Sequence, residues 1–108
     1  MININVFTNN EYIKGFELSG HAGYSEHGND IVCAAVSVLT INTINSIENF
    51  TDDLYECSED EQLGCISFQI LEKASNEANI LLNSMILGLE SIRDEYGSDY
   101  ITLVFEEV

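Results

Sequence analysis

Between Ala74 and Tyr96 the apolar residues return at steps of three and four: Ala74, Ala78, Leu81, Leu82, Met85, Leu89, Ile92 and Tyr96. Only an α-helix gathers such a series on one side, so the spacing predicts a helix over about 73–96, closed by Gly97 just past its last periodic residue. A helix with one apolar stripe must cover a second layer. Its stripe is therefore read as core packing, not as a partner-binding face.

The rest of the chain supplies that layer in period two. Ile2, Ile4 and Val6 alternate with Asn3 and Asn5, and after the turn Asn9-Asn10-Glu11 a second stretch carries Phe16 and Leu18. These predict a hairpin over roughly 1–8 and 12–19. Ile66, Phe68 and Ile70 mark a second hairpin, 53–58 with 62–70, whose solvated turn is Glu59-Asp60-Glu61; Ile101, Leu103 and Phe105 mark a last strand with all three on one face. From Ile31 to about Asn49, helical spacing aligns Ile41, Ile44 and Ile47, and Asp30 stands where an N-cap belongs. The order ββαββαβ predicts an α+β two-layer sandwich, both helices on one face of a mixed sheet. With 108 residues, 45% of them hydrophobic, and no proline, the chain reads as one domain over 1–108.

Charge narrows the partners. Three Lys+Arg stand against 19 Asp+Glu, a net charge of −16. Such a surface lacks the cationic footprint for nucleic acid and disfavours anionic membranes, but it draws in basic proteins. The N-terminal Met1–Phe7 has no basic n-region or continuous apolar stretch, so no signal peptide is expected. No apolar run is expected to reach the eighteen or so residues that would suggest a membrane span. A cytoplasmic location is expected, with Cys33, Cys57 and Cys65 too few for a disulfide framework. Cys57 and Cys65, symmetric about Glu61, are read as structural residues facing each other across the second hairpin.

The chemistry concentrates in Gly20–Ser37. Residues 20–29 hold three glycines and read as a surface loop. With Asp30 as N-cap, Cys33 falls in the first helical turn, where unpaired N–H groups and the helix dipole favour a thiolate. His21 is the residue type for proton transfer, and the loop is long enough to bring it to the thiol. First-turn N–H groups, that of Cys33 included, are candidate oxyanion donors. Asp30 either caps the helix or orients the imidazole.

The pieces Gly20-His21-Ala22 and Gly28-Asn29-Asp30-Ile31-Val32-Cys33-Ala34-Ala35-Val36-Ser37 resemble the signature of the bacterial ribosomal-processing cysteine protease family, Prp. The resemblance implies an endopeptidase that removes the N-terminal extension of a large-subunit ribosomal protein. It implies Cys33 as nucleophile, His21 as general base and Asp30 as a candidate third member. Gly20, Ala22, Gly23, Gly28 and Ser37 are the expected substrate-contacting positions. A homodimer is implied, a basic ribosomal precursor is the expected partner, and no cofactor or metal is expected.

Two rivals stand beside this reading, ahead of a third and weaker one, redox chemistry at the Cys57–Cys65 pair, since cross-strand cysteines rarely bond in a reducing compartment. His21, His27 and Cys33, with one more ligand, would make a zinc site, although the spacing matches no familiar zinc motif. A noncatalytic acidic module that shields a basic ribosomal protein accounts for the charge, but leaves Gly20–Ser37 without a purpose.

Overall fold

The computed structural model describes residues 1–20, 27–60, 62 and 64–108, and of residues 27–30 the backbone alone. Its elements follow the expected order: β1 (Ile2–Asn9), β2 (Tyr12–Ser19), α1 (His27–Phe50), β3 (Tyr55–Asp60), β4 (Cys65–Ile70), α2 (Asn76–Tyr96) and β5 (Ile101–Glu107). One five-stranded sheet runs β3-β4-β2-β1-β5. All neighbours are antiparallel except β1 and β5, which are parallel.

This topology puts both helices on the same face. Through α1 the chain passes from β2 to β3, and through α2 from β4 to β5. These two connections move in opposite directions across the sheet and start from antiparallel strands. Two right-handed crossovers of that kind cover the same side. Burial agrees: Ile2, Ile4, Val6, Phe16, Leu18, Ile66, Phe68, Ile70 and Ile101 form the covered face. Val32, Val36, Ile44 and Ile47 of α1 and Ala78, Leu82, Met85 and Leu89 of α2 close over it. The helices meet at Gly88, where a Cβ would lie 2.6 Å from Leu39 Cδ2. Thr40 and Thr43, buried on α1, donate their hydroxyls to the carbonyls of Val36 (2.8 Å) and Leu39 (2.7 Å).

A bulge in β2 was not legible in the pattern. The register slips between Phe7 and Thr8, which pair with Gly15 and Ile13, leaving Lys14 as the extra residue. By strict alternation from Phe16, Ile13 would point away from the helices; the added residue turns it inward, where it is 4% exposed.

Four expectations need correction. The first helix begins at His27, not after Asp30, so 27–29 are helical, not loop. Asn and Asp cost only a few tenths of a kcal/mol inside a helix and Gly about 1, which packing of the adjoining Val32–Val36 turns offsets. The second hairpin turns between Asp60 and Cys65, so Cys57 pairs with Phe68 and Cys65 with Asp60, and the two cysteines do not face each other. On β5 only Ile101 is buried; Leu103 is half-buried and Phe105 is 52% exposed, because the helices cover only the start of this edge strand. Ile41, aligned with Ile44 and Ile47 in sequence, is exposed. Although polar residues interrupt it, Ile31–Phe50 is also long and apolar enough to cross a membrane by length and composition, with mean hydropathy 1.5. In this fold its buried ridge is core.

Asp53 ties the α1–β3 connection to the start of α2. Its carboxylate accepts the Ser75 N–H at 2.8 Å and the Ser75 hydroxyl at 2.5 Å, and Ser75 Oγ in turn caps α2 by accepting the Ala78 N–H. Burial pushes the Asp53 carboxyl up, but the bonds from Ser75 and Thr51 outweigh it and hold it below its ordinary 3.8. A carboxyl lowered in the folded state contributes stability above 3.8 that disappears as pH falls through the lowered value. Asp53→Asn is therefore expected to destabilise the chain near neutral pH and to make less difference at pH about 2 to 3. Urea unfolding at both pH values checks it; a difference that does not change with pH refutes the linkage.

Candidate functional site

The pocket that matters lies where β2 and β3 end and β1 and β4 begin, beneath the first turns of α1. It has a volume of about 200 Å³, room for one large side chain. Ile2, Leu18, Val36 and Ile66 make it apolar inside. Cys33 and Ser37, one helical turn apart, line it from α1; Glu59 and Asp60 line it from β3, and Gly64 and Cys65 from the start of β4. Gly20, immediately after β2, lines it too.

Cys33 is half-buried, packed against the core and open to this pocket. A sulfur sealed in the core would have ended the catalytic reading; the structure instead gives it a cavity. Its placement arises from the helix repeat. Val32 and Val36 point into the core, and Cys33, one residue round from Val32, sits at the margin of that buried stripe. Ser37, one residue round from Val36, is exposed on the same margin.

The longer helix changes the electrostatics expected at Cys33. With α1 starting at His27, the backbone N–H groups left without a helical acceptor are those of the first turn, and Cys33 lies in the second. The Cys33 N–H is thus engaged within the helix and is withdrawn as an oxyanion donor. The dipole, which acts within the first turn, no longer singles out this thiol. Asp30 is withdrawn as an N-cap; it lies one turn before Cys33 on α1, a spacing that puts neighbours on one side of a helix.

Gly20 has φ +90, and a Cβ there would collide with the Met1 carbonyl oxygen. This position therefore requires glycine, and it sends the chain from β2 toward residue 21. His21, Ala22 and Gly23 lie outside the described residues, as do the side chains of His27 and Asp30; Gly28 is placed in α1 by its backbone. The zinc grouping of His21, His27 and Cys33 turns on those same residues.

Sequence reasoning missed Glu59, Asp60, Cys65 and Ile41 at the pocket. The acidic pair read as a solvated turn, and Cys65 as structural, because the hairpin was centred on Glu61. The period gave no signal for it: counting back from Ile70 passes through Phe68 and Ile66 to Gly64 and skips Cys65. Cys57 lies elsewhere on β3, exposed but partly desolvated by its neighbours; that desolvation, and the Glu59 charge, push its thiol up.

Residues 1–102 match the family described as cysteine protease Prp. A Staphylococcus aureus protein named ribosomal processing cysteine protease Prp is 28% identical over 100 residues, covering 92% of this chain and 94% of its own. A Bacillus subtilis protein of that name is 33% identical over 90 residues, covering 78% of this chain and 79% of its own. A crystal structure of the S. aureus protease with a covalently linked product peptide has a TM-score of 0.89 at 28% identity, covering 98% of this chain and 100% of that one. A second crystal structure of that protease, matching equally well, holds a substrate peptide.

Proposed function

The chain belongs to the cysteine protease Prp family, and on that premise we propose that it is an endopeptidase that removes the N-terminal extension of a large-subunit ribosomal protein. The observation that carries the proposal is the placement of Cys33: a half-buried thiol lining a side-chain-sized pocket whose wall also includes Gly20, the residue before His21 in the chain.

The thiolate of Cys33 attacks the scissile carbonyl carbon, and the tetrahedral intermediate collapses as His21 gives a proton to the leaving amine. The acyl-enzyme is then hydrolysed by a water that His21 deprotonates. Asp30, one turn before Cys33, orients the imidazole, as the third member of such a constellation does. Gly20, Ala22, Gly23, Gly28 and Ser37 contact the substrate backbone. The oxyanion draws on donors other than the Cys33 N–H. The partner is a basic ribosomal precursor in the cytoplasm, gathered by the −16 surface.

The test is incubation with the precursor protein followed by intact mass. A single N-terminal truncation, absent with His21→Ala, is the expected result; an uncut precursor ends the proposal.

The homodimer belongs to the same proposal, formed through the outer face of α1. Ile31 and Val38 are 51% and 69% exposed there, and Leu87 of α2 is 67% exposed. Ala34, Ala35, Val38, Leu39 and Ile92 line an apolar furrow between the helices. Glu48 is the one charged residue in Ile31–Phe50, so two strongly acidic chains can meet there without opposing charges of one sign. Val38→Glu is expected to convert the dimer to a monomer by light scattering. A dimer unaffected by Val38→Glu places the interface elsewhere.

A further inference from the structure

Strand β3 closes one side of the sheet: it pairs with β4, and among the described residues no strand pairs with its outer edge. Every second residue of such a strand presents its N–H and C=O outward, a ready template for another extended chain. Two features of β3 decide which chain. Three of its six residues are acidic, Glu56, Glu59 and Asp60, and none is basic. And it runs into the nucleophile's pocket, because Glu59 and Asp60 at its end line the cavity that Cys33 lines from α1.

We propose that the basic segment of the peptide substrate adds to the free edge of β3 as a sixth strand, with Glu56 and Glu59 holding its lysine or arginine side chains. This rests on the protease reading above and specifies what the enzyme selects: an extended, cationic stretch beside the cleavage point. The backbone bonds supply an affinity indifferent to sequence, and the carboxylates supply the preference. The same charge refuses a second copy of this chain, since two acidic edges repel, which is how edge strands avoid pairing with themselves. A cationic strand is the complementary occupant. Like charges opposite one another on paired strands are disfavoured and opposite charges favoured, so each substrate lysine opposite Glu56 or Glu59 gains where an acidic residue loses.

The experiment uses the full chain and two peptides that span the cleavage point of the ribosomal precursor: the natural basic one, and a counterpart with its lysines and arginines changed to glutamate. The wild-type enzyme is expected to prefer the basic peptide in kcat/KM, and the preference is expected to shrink as salt is raised. In Glu56→Lys/Glu59→Lys, KM for the basic peptide is expected to rise about ten-fold, a few-fold for each exposed ion pair lost and reversed, and the acidic peptide is expected to become the better substrate. Should the double variant fail to fold, a second measurement serves: hydrogen exchange of the Glu56–Glu59 amides in catalytically inert Cys33→Ala, with and without the basic peptide. Slowed exchange there supports strand addition. A preference unchanged by the charge reversal, or β3 amides unchanged by bound peptide, overturns it. A wild-type enzyme that cuts neither peptide refutes the protease reading itself, so the two failures are told apart.

Discussion

Cys33→Ala should leave a folded chain that binds the ribosomal precursor and does not cut it. The side chain is half-buried at the margin of the core, and losing one sulfur there is a small deletion, expected to change stability by about 1 kcal/mol or less. The chemical loss is of another order. Without a nucleophile no acyl-enzyme forms, and removing the nucleophile from a protease of this type costs about 10⁶-fold. Intact mass of the precursor over a long incubation reads this directly, and a thermal melt establishes that the chain is folded. Cleavage, not binding, separates the protease from an acidic shielding module: in both cases the variant still holds the precursor, but only for a protease does a cleavage activity vanish with the sulfur. Persistent cleavage in Cys33→Ala would point to Cys65, which lines the same pocket, and would refute the assignment of Cys33.

The architecture was readable because its signals are periodic and redundant. The α2 stripe recurs over about six turns, and each strand spans six or more residues, so a slip of one residue at either end changes nothing. The corrections fall where one residue decides. Asp30 offered the last polar side chain before an apolar run, but a helix start is set by what lies upstream as well, and four further residues, 27–30, joined α1. That shift of four is just over a full turn, enough to move Cys33 from the first turn to the second and to engage its N–H. The bulge at Lys14 and the true centre of the β3–β4 turn are likewise shifts of one to three residues, settled by the register between paired strands and not by the apolar period of either strand alone. The pocket assembles Gly20, Cys33, Glu59 and Cys65 from four separate elements. Local sequence identified Gly20 and Cys33 because they fall in one motif; Glu59 and Cys65 come to the pocket only through strand order.

Gly20→Ala is expected to damage both stability and catalysis, and the two effects can be separated. At φ +90 an L-residue with a Cβ is strained, by about 1–2 kcal/mol in the left-handed region. The new Cβ also collides with the Met1 carbonyl oxygen, and that oxygen belongs to the backbone entering β1, which cannot give way as a flexible side chain would. A cost of a few kcal/mol lowers the unfolding midpoint by about 4–8 °C for each. The catalytic effect has a different origin. Relief of the contact must rotate the chain at residue 20 or lift the start of β1, and His21 is the next residue. A displacement of about 1 Å in a reacting group can cost 10²-fold, so kcat/KM should fall by about that factor at a temperature where the variant is still fully folded. The rate at which iodoacetamide alkylates Cys33 supplies the second readout. If Gly20 sets the approach of the imidazole to the thiol, the pH profile of that rate moves in Gly20→Ala; a purely structural role would leave it in place. A Gly20→Ala chain that melts earlier but cuts the precursor at the parent's rate would break the link from this glycine to the histidine.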